Sequence, residues 1–249
     1  MPKFFVEKKQ IYDGKAHILG DDINHIKNVL RLKKDDTLDI CSIEEKKTFK
    51  CKIEEINNDI ITCNILEELK NEVESNVHVT VFQGLPKADK MELIIQKSVE
   101  LGVNALTPVE MKRCVVKLNE KDKAKKIQRW QKISEVAAKQ CGRNIIPKIN
   151  NIIKINEICD IIKDFDVVLV AYENEKENYL KNEIEKLKKL GKEELKIAIC
   201  IGPEGGFEEK EILDLKENKA QIITLGNRIL RTETVALNML SILMYELEM

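Results

Sequence analysis

Two short segments near the C-terminal end of the chain combine residues whose types and spacing could perform chemistry. The first, at 202–206, reads Gly-Pro-Glu-Gly-Gly, and the second, at 225–236, contains Arg231 and Glu233 beside two threonines. Each segment follows a short apolar run that predicts a strand and precedes a stretch with helical periodicity. Because open α/β sheets bind ligands at such strand-to-helix turns, we predict that the two segments form one ligand site.

The glycines of these segments indicate a ligand that approaches the backbone closely, because glycine has no Cβ in the way. The chain contains neither the Gly-x-Gly-x-x-Gly fingerprint nor the Gly-Lys-Ser/Thr of phosphate-binding loops, which argues against a pyrophosphate ligand. What remains is an apolar pocket that suits a flat adenine ring contacted by main-chain groups, lined by Ile201, Leu225, Ile229 and Leu230. The alternative is that 202–206 is only a tight turn that starts a helix, and spacing alone leaves both interpretations open.

The polar residues of the second segment have structural explanations as well as functional ones. Thr232 or Thr234 is suited to cap the C-terminal helix, which we predict at 235–248. Glu233 is favoured at a helix start by the helix dipole. Arg231 and Glu233 need not both be structural, however, and the apolar residues before them indicate a nearby pocket.

The second half of the chain has the pattern of the sheet that such a site requires. Strand-like runs at 77–82, 105–109, 166–171, 196–201 and 221–225 alternate with helical stretches at 90–101, 120–140, 176–190 and 208–218. Asp89 and Glu92 have the spacing of a capping box for the first of these helices. Strands that alternate with helices predict a parallel sheet covered on both faces.

The first part of the chain predicts a different structure, a small β-rich barrel with one helix. Its strands are expected at 3–6, 37–41, 48–56 and 59–66. Asp21 or Asp22 is expected to cap the helix, which extends through Leu30. A polar, acidic linker follows. The predicted division is therefore a barrel at 1–70, a linker at 71–76 and an α/β domain at 77–249.

Charge is distributed unevenly along a nearly neutral chain. The 249 residues carry a formal net charge of −1, so the whole chain shows no preference for nucleic acid. Residues 83–143, however, contain 14 Lys and Arg against 7 Asp and Glu. A local excess of this kind indicates either a phosphate-binding surface or a solvated lysine-rich surface, and the two are not distinguished by composition.

Cysteine, histidine and apolar runs argue against several other classes of protein. The seven cysteines never form a Cys-x-x-Cys pair and the three histidines are scattered, so we expect reduced thiols and no metal site. No signal peptide is visible, and no apolar run approaches the roughly 20 residues that span a bilayer. We therefore predict a soluble, cytoplasmic protein.

Several motifs, in order along most of the chain, resemble those of the RsmE family within the SPOUT superfamily of methyltransferases. The similarity includes Gly-Pro-Glu-Gly-Gly-Phe at 202–207 and Leu-Gly-x-Arg-Ile-Leu-Arg-Thr-Glu-Thr at 225–234. Further matches lie at 25–31, 87–92 and 135–143. Val235 stands where many relatives have alanine. Members of this family methylate a uridine of 16S ribosomal RNA.

The resemblance implies a PUA-like barrel followed by an α/β domain with a deep trefoil knot, a homodimer, and S-adenosylmethionine as cofactor. In this family the cofactor lies in the knot. The resemblance therefore assigns thirteen cofactor-binding residues: Tyr172, Glu173, Ile201, Gly202, Pro203, Gly205, Gly206, Leu225, Gly226, Ile229, Leu230, Thr234 and Ala236.

The implied reaction transfers a methyl group to N3 of uridine 1498 in 16S ribosomal RNA. Because N3 of uracil carries a proton, it is a weak nucleophile until that proton leaves. We expect Arg231 to stabilise the resulting anion. Glu233 is a candidate general base, although a carboxylate is a poor match for so weak an acid.

The implied RNA contacts come from basic residues in both parts of the chain: Arg31, Lys33, Lys87, Lys90, Arg113 and Arg143. Two alternatives stay open from the residues alone. The chain could be an RNA-binding dimer without catalysis, or a methyltransferase for another RNA uridine.

Overall fold

The computed structural model describes residues 2–70 and 73–248, and the chain forms two compact units. Unit 1 contains Met1–Glu74 and Ala138–Ile146, and unit 2 contains Ser75–Ala137 and Pro147–Met249. The predicted domain boundaries stay a prediction, since two positions of the predicted linker, 71 and 72, lie outside the described residues.

Unit 1 is built on a six-stranded, curled sheet. Its strands are β1 (Lys3–Val6), β2 (Ile11–Tyr12), β3 (Lys15–Ile18), β4 (Thr37–Ser42), β5 (Thr48–Ile56) and β6 (Ile61–Leu69), in the order β1-β4-β5-β6-β3-β2. The β1–β4 pair is parallel and the other pairs are antiparallel. Alternate side chains of these strands, among them Ile40, Ile53 and Ile61, enter one buried apolar cluster.

The predicted helix of unit 1 is present but differs at both ends. Helix α1 (Asp21–Asn24) continues into a π-helical turn at His25–Val29, after a 3₁₀ turn at Lys8–Gln10 earlier in the chain. Gly20, with φ +72°, occupies the N-cap position. The predicted aspartate cap is therefore wrong. The Asp22 carboxylate instead accepts hydrogen bonds of 2.9 Å from Nζ of Lys139.

Residues Ala138–Ile146 join unit 1 through an ion pair between the buried Arg143 and the partly buried Glu74. Nη2 of Arg143 donates to Oε2 of Glu74 at 2.6 Å, and the same carboxylate accepts the backbone N–H groups of Asn144 and Ile145. Burial by itself raises the pKa of Glu74, but the Arg143 guanidinium and these N–H groups outweigh it and hold that pKa below its ordinary value. The Arg143 side chain is only 8% exposed and its guanidinium pairs with Glu74, which is unfavourable for the RNA contact predicted for it.

We expect Glu74→Gln to lower the free energy of unfolding by about 3 kcal/mol at pH 7, because one partner of a buried pair is removed. In the folded chain the pKa of Glu74 lies below its ordinary value of 4.5. The contribution of its carboxylate to stability is therefore fully present above pH 4.5. It is lost as the pH falls through the folded-state value. Urea unfolding of both proteins from pH 7 down to pH 3 measures this difference.

Glu67→Gln is the matched control, since Glu67 pairs with Lys50 at 3.5 Å with a side chain 58% exposed. An exposed pair contributes less than about 1 kcal/mol. Equal losses in the two variants would contradict a structural role for the buried pair.

Unit 2 is built on a seven-stranded sheet in which every pair is parallel. Its strands are β7 (Val77–Gly84), β8 (Ala105–Glu110), β9 (Lys148–Ile149), β10 (Ile153–Lys154), β11 (Val167–Ala171), β12 (Leu195–Ile201) and β13 (Gln221–Ile223). The order is β10-β8-β7-β12-β11-β13, with β9 also paired to β8. The predicted parallel sheet is confirmed.

The helices between these strands are α2 (Lys90–Glu100), α3 (Glu120–Cys141), α4 (Ile155–Ile161), α5 (Leu180–Lys188), α6 (Glu209–Glu217) and α7 (Thr232–Leu247), with a 3₁₀ turn at Ile162–Asp164. From the edge strand β13, the chain returns so that α7 packs against the central strands β7 and β12. The structure thus has the two parts that the sequence analysis expected, a small domain with a curled β-sheet followed by a parallel α/β domain.

Helix α2 starts at Lys90 as predicted but without the predicted capping box, and helices α5 and α7 start at other residues than predicted. Asp89 makes no side-chain cap, and its supposed partner Glu92 instead accepts a hydrogen bond from Arg129 at 2.9 Å. Helix α5 starts only at Leu180, because the Glu175 carboxylate accepts the backbone N–H groups of the next three residues and holds them in a loop. Helix α7 starts three residues earlier than predicted, with Arg231 at the N-cap and no threonine cap.

Candidate functional site

A cavity of about 490 Å³ lies at the carboxyl ends of three adjacent strands, β12, β11 and β13. Its lining comes mainly from the loops that follow these strands, at 171–176, 201–207 and 224–232. Small-ligand sites have volumes of about 300 to 1,000 Å³. The two segments that the sequence analysis placed together therefore do share one cavity.

The loop after β12 is held by close packing of backbone against backbone. A Cβ added to Gly84, the last residue of β7, would lie 2.7 Å from Cδ of Pro203. The backbone N–H of Gly206 donates to Pro203 O at 2.9 Å and closes the turn. Gly206 has φ +68°, and an added Cβ there would lie 2.5 Å from Oε1 of Glu173. Glycine is therefore required at Gly84 by this close approach and favoured at Gly206 by its positive φ.

The loop after β13 is wider and more exposed. The backbone N–H groups of Tyr172 and Thr224 donate to Ile223 O and Asn178 O, so the loops after β11 and β13 are joined. Gly226 turns the chain with φ +106°. From there the loop leads over Arg228 and Ile229 to the start of α7, and these side chains stay exposed.

One buried hydroxyl connects three elements beneath the cavity. Thr232 Oγ1 donates to Gly202 O at 2.7 Å and accepts from Nε2 of Gln83 at 2.8 Å. Gln83 is fully buried near the end of β7, and its Nε2 also donates to Gly84 O. The helix start of α7, the loop after β12 and the end of β7 are thus held together by one side chain.

A cluster of three charges lies at one wall of the cavity. Nζ of Lys90 lies 3.0 Å from Oε1 of Glu204 and 3.3 Å from Oε2 of Glu233. The hydrogen bond to Glu204 is the main cause that raises the pKa of Lys90, and Glu233 adds to it. Burial raises the pKa of Glu204, but Lys90 and the backbone N–H of Lys87 outweigh it and hold it below its ordinary value.

The Lys90–Glu233 contact is an ion pair without hydrogen-bond geometry. Glu233 Oε2 is buried and makes no hydrogen bond to any described residue. Its side chain is 16% exposed and is absent from the cavity lining, whereas Arg231 lines the cavity. The predicted catalytic pair is therefore divided: Arg231 faces the cavity, and Glu233 lies behind Lys90.

Ten of the thirteen residues expected to bind the cofactor line the cavity: Tyr172, Glu173, Ile201, Gly202, Pro203, Gly206, Leu225, Gly226, Ile229 and Leu230. Three do not. Gly205 O accepts a hydrogen bond from Nη1 of Arg113 outside the cavity, Ala236 is fully buried in α7, and Thr234 is exposed on that helix.

The residues expected to contact RNA have different surroundings. Arg31, with φ +55°, and Lys33 are exposed in unit 1. In unit 2, Lys87 is exposed and Arg113 packs on the loop after β12, whereas Lys90 lines the cavity.

Sequence reasoning missed several cavity residues and their supports, among them Gln83, Lys176, Glu204, Phe207 and Arg228. For Gln83 a signal was present, since a single amide at the end of an apolar run is buried only with partners. Glu204 and Arg228 lay inside the recognised motifs, but spacing does not show which side chain turns toward a cavity.

Metal sites and membrane-spanning helices are not found among the residues that the structure describes. They contain no group of three or more His, Cys, Asp or Glu placed to hold a metal ion. None of their helices is both long and apolar enough to cross a membrane.

Comparison with known proteins defines the class of this chain. Residues 73–244 match the RNA methyltransferase domain family, and residues 18–66 match the RNA methyltransferase PUA domain family. The first match covers the sheet and the cavity loops. The chain is thus an RNA methyltransferase.

Within that class, the chain belongs to the family of ribosomal RNA small subunit methyltransferase E. It is 36% identical to that protein of Bacillus subtilis over 100% of this chain and 98% of the relative. The structure is similar, with a TM-score of 0.85, to that of the Neisseria gonorrhoeae enzyme of the same name bound to S-adenosylmethionine. The two sequences are 30% identical, and the match covers 98% of this chain and 97% of the Neisseria chain. A Legionella pneumophila methyltransferase with this cofactor bound has TM-score 0.85 and 28% identity, with 98% and 96% covered.

We expect Thr232→Val to lower the free energy of unfolding by about 1–3 kcal/mol, because Gly202 O and an N–H of Gln83 lose a partner in a buried place. Thr232→Ser keeps the hydroxyl and is expected to retain most of the stability. Urea unfolding monitored by circular dichroism measures both.

Thr234→Val is the matched control on the same helical turn, since Thr234 is exposed and has no hydrogen-bond partner for its side chain among the described residues. A loss in this control as large as that of Thr232→Val would show that the buried hydroxyl has no special role.

Proposed function

We propose that this RNA methyltransferase transfers a methyl group from S-adenosylmethionine to N3 of uridine 1498 in 16S ribosomal RNA. The observation that carries the proposal is the glycine-rich cavity at the strand ends, with the exposed Arg231 at its border. Relatives with this cofactor bound, and others named for small-subunit ribosomal RNA, support it.

The cavity residues fit S-adenosylmethionine on three grounds. Ile201, Leu225 and Leu230 provide apolar surface for an adenine ring, and the glycines expose main-chain amides and carbonyls beside it. The Glu173 carboxylate at the border is suited to hydroxyl or ammonium groups. The cofactor, when bound, supplies a methyl group on a positively charged sulfur.

Arg231 is the residue suited to the uracil. As the N3 proton leaves, negative charge spreads over N3 and the two ring carbonyl oxygens. The Arg231 guanidinium is exposed at the cavity and makes no hydrogen bond or ion pair with any described residue, so its donors are available to this charge. A cation beside developing negative charge stabilises the transition state and so lowers the barrier.

Glu233 acts through Lys90 in this proposal. Its carboxylate and that of Glu204 hold the Lys90 ammonium at the cavity wall. Because Glu233 does not line the cavity, direct proton transfer from uracil to this carboxylate is a less suitable role. The N3 proton then leaves to solvent or to a group of the RNA.

The exposed basic residues Arg31 and Lys33 in unit 1 and Lys87 and Arg113 in unit 2 are proposed to contact RNA phosphates, which position an RNA without reading its sequence. The homodimer and the cytoplasmic location expected from the sequence are part of the same proposal.

Mass spectrometry of nucleosides tests the reaction. Small ribosomal subunits or 16S RNA lacking the modification are incubated with the protein and S-adenosylmethionine, digested and analysed. We expect 3-methyluridine, located at nucleotide 1498 by sequencing the digest. Another methylated uridine would indicate a different target. Cofactor binding with no methylated product on any RNA would contradict the proposed function.

We expect Arg231→Ala to reduce methylation about 100-fold or more, the loss typical when one group that stabilises an anionic transition state is removed. Cofactor affinity and thermal unfolding should stay close to wild type, because the guanidinium makes no contact that the fold needs. Single-turnover assays with saturating RNA and cofactor measure the loss.

Arg231→Lys serves as the paired variant, because it keeps the charge but not the fork of donors, and we expect partial activity. If Arg231→Ala turned over near the wild-type rate, Arg231 would have no role in the chemistry.

A further inference from the structure

The cavity is bordered by four cationic side chains, and they differ in what they already bind. Lys90 is engaged by two carboxylates, and Nζ of Lys176 donates to Glu173 O at 3.0 Å. The guanidinium groups of Arg228 and Arg231 make neither a hydrogen bond nor an ion pair with any residue that the structure describes. The cationic groups at the cavity that have no partner among the described residues therefore both lie on one loop, at 228–231.

Arg228 lies on the outer part of this loop. Its side chain is exposed, and that of its neighbour Ile229 is 87% exposed, higher than any other large apolar side chain among the described residues. An unpaired guanidinium beside an exposed apolar side chain, both at the opening of a cavity, offers one charged and one apolar contact to a ligand that is only partly enclosed.

We infer that Arg228 binds the backbone phosphate next to the target nucleotide and so positions the uracil in the cavity. This inference rests on the proposed function. A base must leave its stack for its N3 to be reached, and its phosphates stay in solvent at the opening while the base enters. Arginine suits this position because its planar donors match a phosphate, and Ile229 supplies apolar contact to the ribose or base.

The cofactor has an anionic group of its own, its carboxylate, which a guanidinium could also bind. The exposure of Arg228 favours the RNA, because the cofactor is expected inside the cavity with its apolar and glycine lining. Cofactor affinity therefore distinguishes the two anions.

The test compares Arg228→Ala and Arg228→Lys with wild type in RNA binding, steady-state methylation and cofactor calorimetry. For Arg228→Ala we expect RNA affinity to fall about tenfold to a hundredfold, mainly as a higher KM for RNA. The slope of log affinity against log salt should become shallower by about 0.7 to 0.9. Cofactor affinity should be unchanged, and Arg228→Lys should recover part of the loss.

Lys210→Ala, on α6 and away from the cavity lining, is the control for loss of one positive charge. A second measurement uses RNA with uncharged methylphosphonate linkages on both sides of the target uridine. This RNA should bind wild type more weakly, and Arg228→Ala should add little further loss.

Three results would overturn the inference: RNA affinity unchanged in Arg228→Ala, weakened cofactor binding instead of weakened RNA binding, or equal losses in Arg228→Ala and Lys210→Ala. Because RNA affinity is measured without turnover, these results are separate from failure of the proposed function, in which wild type binds RNA but forms no 3-methyluridine.

Discussion

The cavity depends on the buried hydroxyl of Thr232. Three segments distant in sequence meet at this atom: Gln83 at the end of β7, Gly202 after β12, and the start of α7. The backbone carbonyl and the amide that it satisfies would otherwise be buried without partners, which costs free energy in the folded state only. The position of the loop after β12, and with it much of the cavity wall, follows from this one requirement.

The charged side chains around the cavity differ in whether the folded chain gives them a partner of opposite charge. Because Glu204 and Glu233 face Lys90, their carboxylates balance the positive charge of its ammonium group and hold that group at the cavity wall. Arg228 and Arg231 are on the loop that leads into α7, where no described carboxylate reaches them. Lys90 therefore has a structural role, whereas the guanidinium groups of Arg228 and Arg231 remain available to an anionic ligand.

Much of the fold could be predicted from the chain, since a strand or helix buried on one side leaves a periodic apolar pattern. Strand β5, at Thr48–Ile56, was predicted with its observed bounds, and the parallel sheet was recognised from its alternating elements. Helix N-termini were predicted less well, because a cap forms only when a side chain reaches the free backbone N–H groups of the first helical turn. Asp89 and Glu92 have the spacing of a capping box, yet Glu92 is engaged by Arg129, 37 residues away.

The candidate site was predictable to the extent that it lies in contiguous motifs. Most glycines and apolar residues of 201–206 and 225–230 do line the cavity. The charged residues were less predictable. Arg143 and Lys90 appear in the sequence as similar basic residues, but one is buried against Glu74 and the other is held between two carboxylates.

The sequence by itself determined the alternation of strands and helices, the two glycine-bearing turns and the absence of a phosphate-binding motif. These are local properties, set by side-chain periodicity and backbone freedom within a few residues. Only the tertiary structure decided that β7 lies beside β12, that Thr232 joins their ends, and which arginines stay free. Each of these depends on contacts between residues far apart in the chain, and no single segment encodes the partner that it will meet.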